Sequence, residues 1–167
     1  MRHFTRTLTT LALGAILALP AGLFAQEAAT EANKEVVRRF TEEVFNKGDV
    51  AAIDKYITAD AVDHNPPPGM TGDREGFKKW LTTFRAAFPD MKATLDQVIA
   101  EGDLVVFRNT MTGTQKGEYM GMPASGKPIS VEAIDIVRFK DGKMVEHWGQ
   151  MDAMGMMQQL GGMPSPK

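Results

Sequence analysis

Asp135 and Asp152 are two carboxylates in the C-terminal part of the chain with apolar and aromatic residues around them, and His64 stands just ahead of a proline-rich run. A carboxyl group that loses water among apolar neighbours has its pKa raised towards the range where it serves as a general acid or base. The spacing of these residues therefore raises the question of which of them share a face.

Asp141-Gly142 is a two-residue hairpin signal and sets a register if no bulge intervenes. Lys140 then faces Lys143. One face holds Val131, Ala133, Asp135, Val137 and Phe139 opposite Asp152, Gln150, Trp148, Glu146 and Met144. The other holds Glu132, Ile134, Ile136 and Arg138 opposite Met151, Gly149, His147 and Val145. Besides Glu146, the first face offers two acids, an indole and an amide to a ligand, with Asp135 across from Trp148 and Asp152 roughly 13 Å further along at about 3.3 Å per residue. At that distance the acids do not share a proton; they would act at opposite ends of a ligand. A bulge between Glu146 and Met151 would exchange the faces beyond it and bring His147 in. Asp152 equally suits the N-cap of a helix starting near Ala153, and His64 equally suits a surface position.

Other chemistries find little support. Cysteine is absent, which removes thiol nucleophiles, thiolate metal sites and disulfides. The mature region retains two histidines, His64 and His147, on opposite faces in this register, so no metal site is expected. Methionines 151, 154, 156, 157 and 163 read as flexible apolar filler rather than thioether ligands. No phosphate loop, nucleophile elbow or dinucleotide fingerprint occurs, and no cofactor is expected.

The elements that must position these residues follow from periodicity. Val36, Val37, Phe40 and Val44 share a helical face from Asn33 to the stop at Gly48, and Asp49 reads as the cap of a short helix with Val50, Ile53 and Ile57 inward. Residues 61–64 read as extended, and Asn65-Pro66-Pro67-Pro68-Gly69 as a loop. Asp73 caps a helix whose Phe77, Trp80, Leu81, Phe84 and Phe88 line one side before Pro89. Residues 91–100, 104–115, 128–140 and 143–152 read as strands, with a loop over 116–127 and a last helical turn or two over 154–160. Helices first and an antiparallel meander afterwards make an α+β domain over 33–162, after a lead-in of 26–32 and before a tail of 163–167. Trp148, Trp80, Phe84, Phe88 and Phe40 are expected to line the pocket between helices and sheet.

Arg2, His3 and Arg6, the apolar run Leu8–Leu19 and the small residues ending at Ala25 have the order of an export signal, so residues 1–25 are expected to be removed. The remainder carries 17 Lys and Arg against 21 Asp and Glu, a net charge of about −4, which disfavours nucleic acid or an anionic membrane as partner. A periplasmic or secreted protein is expected, with a hydrophobic small molecule as partner and a homodimer allowed for.

Six segments in order carry a resemblance: Val62-Asp63-His64-Asn65-Pro66, Phe88-Pro89-Asp90, Thr114 to Lys127, Ile134 to Phe139, Glu146 to Asp152, and Gln158-Gln159-Leu160-Gly161. Together they resemble the SnoaL-like polyketide cyclases from about Asn33 to Gly162. The resemblance implies the cone-shaped α+β barrel of nuclear transport factor two and the ketosteroid isomerases. It also implies intramolecular aldol ring closure without metal or cofactor, one aspartate serving as acid and base; by motif this aspartate is Asp152. The Ile134–Phe139 strand also resembles the one that carries the protonated aspartate of ketosteroid isomerases, which favours Asp135 as a pocket acid and places His64 near their base. Two positions depart from these patterns. Gln115 stands where the family often has histidine, and Phe40 near the isomerases' first-helix tyrosine, so an isomerase reading lacks half its oxyanion hole. The expected function is a cofactor-independent cyclase, lyase or isomerase of a hydrophobic carbonyl compound, with a non-catalytic exported binding protein as the alternative.

Overall fold

The computed structural model describes residues 21–162, with side chains from Ala25 onward. Residues 1–20 of the expected export signal 1–25, and the tail over 163–167, lie outside the described residues.

Helix α1 (Ala21–Phe40) buries Val36, Val37 and Phe40, and it starts well before Asn33, where the apolar face begins. It passes into a π-helical segment, Thr41–Asn46, closed by Lys47 N–H donating to the Glu42 carbonyl. The wider turn aligns residues five apart, so Phe40 and Phe45 come to one side. A 3₁₀ turn (Val50–Ala52), capped by Asp49, leads to the short α2 (Ile53–Tyr56). Strand β1 (Ile57–Asp63) follows, so Ile57 opens a strand instead of closing the helix. Helix α3 (Arg74–Ala87) begins where Asp73 accepts the Gly76 N–H at 2.7 Å and ends before Pro89. Strands β2 (Lys92–Glu101), β3 (Leu104–Thr114), β4 (Pro128–Lys140) and β5 (Lys143–Met151) then precede α4 (Ala153–Leu160).

The sheet order is β1-β5-β4-β3-β2, antiparallel except that β1 runs parallel to β5 at the edge. The last four strands form the expected antiparallel meander, and β1, expected only as a short extended piece over 61–64, joins it as a parallel edge strand. Helix α1 lies over β2 and β3, α3 over β1, and α4 over β4. Leu81, Phe84, Phe88, Val105 and Val131 are fully buried between these layers, each such side chain contributing roughly 1.5–3 kcal/mol. No helix among the described residues is long and apolar enough to cross a membrane.

Asp141 and Gly142 both take positive φ, 50° and 75°, as a type I′ hairpin requires. Lys140 pairs with Lys143 and Phe139 with Met144, but Arg138 pairs with Glu146, leaving Val145 as an extra residue. This bulge lies ahead of Glu146, and because side chains alternate along a strand it turns every later residue of β5 to the other face. His147 now pairs with Val137, Trp148 with Ile136 and Gly149 with Asp135.

Candidate functional site

Between the helices and the concave face of the sheet is a cavity of about 400 Å³, within the range of small-molecule sites. Its apolar wall includes Phe40 and Phe45, Phe77 and Trp80 of α3, Phe107 and Met111 of β3, and Tyr119 from the β3–β4 loop. Phe40 stacks on Phe77 and Phe77 on Trp80, with ring centroids 6.0 and 5.6 Å apart. Burial raises the Tyr119 phenol, opposed by the Trp80 indole beside it, so at neutral pH its hydroxyl keeps its proton.

A line of polar side chains from four strands breaks this apolar surface. On β5, His147 places Nδ1 3.0 Å from Asp63 Oδ1 of β1 and Nε2 3.0 Å from Asp135 Oδ1 of β4. Asn109 of β3 donates from Nδ2 to Asp135 Oδ2 at 2.6 Å, and the Asn65 backbone N–H donates to Asp63 Oδ1 at 2.9 Å. With a carboxylate oxygen at each ring nitrogen, both nitrogens carry a proton, and the ring is an imidazolium. Burial lowers the pKa of His147, but the hydrogen bonds and charges of Asp135 and Asp63 outweigh it and raise it to about 9. Burial pushes Asp63 upward, and the hydrogen bond and charge of His147 more than offset this, holding its carboxyl below the usual range.

The expected residues divide between two faces. Asp135, Phe40, Trp80 and Gln150 are among the cavity residues, although Gln150 is largely exposed. Phe84 and Phe88 are fully buried behind the wall, stacked on each other with centroids 4.7 Å apart, and are not cavity residues. Trp148, expected inside, lies outside because of the Val145 bulge. There its indole stacks on His64 with centroids 4.6 Å apart, and the Arg138 guanidinium lies 5.8 Å from its centroid. His64 is therefore also outside the cavity, its Nε2 3.2 Å from Glu146 Oε2, and the preceding residue, Asp63, is the one that points inward. Asp152 is exposed, outside the lining, and caps α4 by accepting the Gly155 N–H at 2.8 Å.

Two polar cavity residues, Asp63 and Asn109, escaped the sequence reading, and His147 entered it only on the condition of a bulge between Glu146 and Met151. Asn109 left a signal, since it occupies the inward position in the alternating series Val105, Phe107, Asn109 and Met111. The bulge that brings His147 in lies at Val145, just ahead of that interval, and nothing in the sequence there announces it.

Residues 35–160 match the model of the SnoaL-like polyketide cyclases. The chain belongs to this family. The aklanonic acid methyl ester cyclase DauD of Streptomyces sp. (strain C5) is 34% identical over 134 residues, covering 76% of this chain and 80% of that protein. The nogalonic acid methyl ester cyclase of Streptomyces nogalater is 30% identical over 122 residues, covering 70% and 89%. Of solved structures, TsrD from Streptomyces laurentii superposes with a TM-score of 0.73 at 32% identity, covering 80% of this chain and 97% of that one. IdmH from Streptomyces antibioticus gives 0.69 at 36% identity, covering 77% and 98%. The SnoaL-like chain is thus an enzyme of the cyclase class, with the expected cone-shaped α+β fold.

Proposed function

We propose that this SnoaL-like enzyme closes a ring in a hydrophobic polyketide-type ester by intramolecular aldol addition, with Asp135 as acid and base. The observation that carries this reading is the Asp135 carboxylate, held by Asn109 and His147 on the wall of a largely apolar cavity. The motif resemblance favoured Asp152, but a base must reach the proton it removes. Asp152 is outside the lining.

Asp135 takes a proton from a carbon made acidic by flanking carbonyls. The resulting enolate carbon adds to a second carbonyl of the same molecule, a C–C bond forms, and the carbonyl electron pair becomes an alkoxide that recovers the proton from Asp135. The product is an isomer of the substrate. The imidazolium of His147, 3.0 Å from Asp135 Oδ1, fixes the plane of the carboxylate. The Tyr119 hydroxyl is a donor available to an enolate oxygen, and the aromatic wall excludes water.

The relatives are named for the methyl esters of aklanonic and nogalonic acid. A neutral ester suits this cavity as well, because Asp63, His147 and Asp135 together carry one net negative charge, which opposes a free carboxylate. The direct experiment incubates the purified protein with aklanonic acid methyl ester and follows ring closure by chromatography at constant mass. Asp135→Asn is expected to keep ester binding while lowering turnover about 10²–10⁴-fold. Wild-type turnover by that variant would overturn the assignment. Binding of the ester without any conversion by the wild type would favour the non-catalytic alternative.

A further inference from the structure

Gly149 lies in the middle of β5, directly across from Asp135 and two residues beyond His147, on the cavity side. Its φ is not positive, so its backbone is one that any L-residue adopts. Glycine in a strand interior has no side chain to pack and a larger entropy to lose on folding, and it often marks a close approach. The local geometry accounts for it. A Cβ at this position would stand 2.8 Å from Asp135 Oδ1, 2.8 Å from His147 Cε1 and 3.0 Å from His147 Nε2. Real Cβ atoms essentially never come closer than 3.0 Å to such atoms, so the two 2.8 Å approaches would require a side chain to shift.

We propose that Gly149 is a positioning residue, whose missing side chain leaves the space in which the His147 imidazole and the Asp135 carboxylate meet. All three close contacts are to the ends of side chains and none is to backbone. A methyl group at residue 149 would therefore be accommodated by swinging Asp135 or His147 aside, and the strand would remain. What would be lost is the 3.0 Å contact between them, and with it the placement of Asp135 against a bound ligand. The charged groups facing the imidazole are Asp63 from β1 and Asp135 from β4. Of these, the Asp135 contact is the one the methyl group disturbs, so Asp63 remains as an internal reference.

The catalytic consequence rests on the role proposed for Asp135; the spacing does not. The test is Gly149→Ala, read by NMR titration of the His147 imidazole without any substrate. In the wild type the ring is expected to titrate at about 9, and in Gly149→Ala to move towards the ordinary 6.5. Turnover on the methyl ester is expected to fall about 10²-fold, the scale of a 1 Å misplacement in a site. Its alkaline limb should move to lower pH with the imidazole. A His147 titration unchanged in a folded Gly149→Ala protein would overturn the proposal, whatever happens to turnover. A shifted titration in Gly149→Ala, with Asp135→Asn retaining wild-type turnover, would uphold the spacing and overturn the role of Asp135 instead. Should Gly149→Ala alone not fold, it is introduced into a His147→Ala, Asp135→Ala background. Recovery of folding there upholds the proposal, and failure to fold there overturns it.

Discussion

Asp135 Oδ1 and His147 Nε2 meet at 3.0 Å inside the cavity, although a hairpin without a bulge would send these two side chains to opposite faces of the sheet. The contact exists because of one unpaired residue, Val145, and with Asp63 it keeps the imidazole a cation at neutral pH between two acids.

That cation sets a pH dependence of stability. The folded-state pKa of His147, about 9, lies above its value of about 6.5 in the unfolded chain, so the stabilisation is fully present below about 6.5 and is lost as pH rises through 9. Allowing for a side chain that is one-third exposed, about 1–2 kcal/mol is at stake. Urea midpoints measured between pH 6 and 9.5 are expected to decline accordingly, and His147→Asn is expected to flatten that decline. A wild-type midpoint constant across the range would contradict the buried ion pair.

Asp63 acts with the opposite sign. Its carboxyl is held below the ordinary value, so its contribution is present above the unfolded pKa of about 3.9 and is lost as pH falls through the depressed folded value. Asp63→Asn is expected to remove part of the acid sensitivity of the midpoint below pH 4 and to lower the imidazole pKa of His147, read by NMR. An unmoved imidazole would show that Asp63 does not hold the ring.

Asp152 should behave as a helix cap. Asp152→Asn keeps a side-chain acceptor for the Gly155 N–H and is expected to change little, whereas Asp152→Ala removes it at a cost of about 1 kcal/mol, or roughly 3–5 °C in Tm. Both variants are expected to retain turnover within about twofold, far from the 10²–10⁴-fold of a lost acid–base group. A large loss of turnover in Asp152→Asn with an unchanged Tm would return the catalytic role to this residue.

Export remains a proposal drawn from the charged, apolar and small-residue order of residues 1–25. Expressed with its full N-terminus in a Gram-negative host, the protein is expected outside the cytoplasm with a first residue near Gln26, as read by mass spectrometry. A full-length cytoplasmic product would refute it.

Much of the architecture was legible in the residues. The series Phe77, Trp80, Leu81, Phe84 and Phe88 specifies α3 because an apolar stripe at helical spacing has one way to leave water, and Asp73 and Pro89 mark its ends. Asp141-Gly142 specifies the last hairpin because few other residue pairs tolerate positive φ at both positions. Asp135 was identifiable as an inward acid because its strand neighbours at every second position are apolar. The remainder of the site depended on tertiary structure. Both faces of β5 are half apolar, so period-two alternation could not choose between Trp148 and His147, and a single bulge at Val145 made the choice. Asp63 lies more than 80 residues from His147 in the chain and reaches it only because β1 joins the sheet as a parallel edge strand. Residues 61–64 could be read as extended, but the strand they join is set by a long-range parallel pairing, which no local preference encodes.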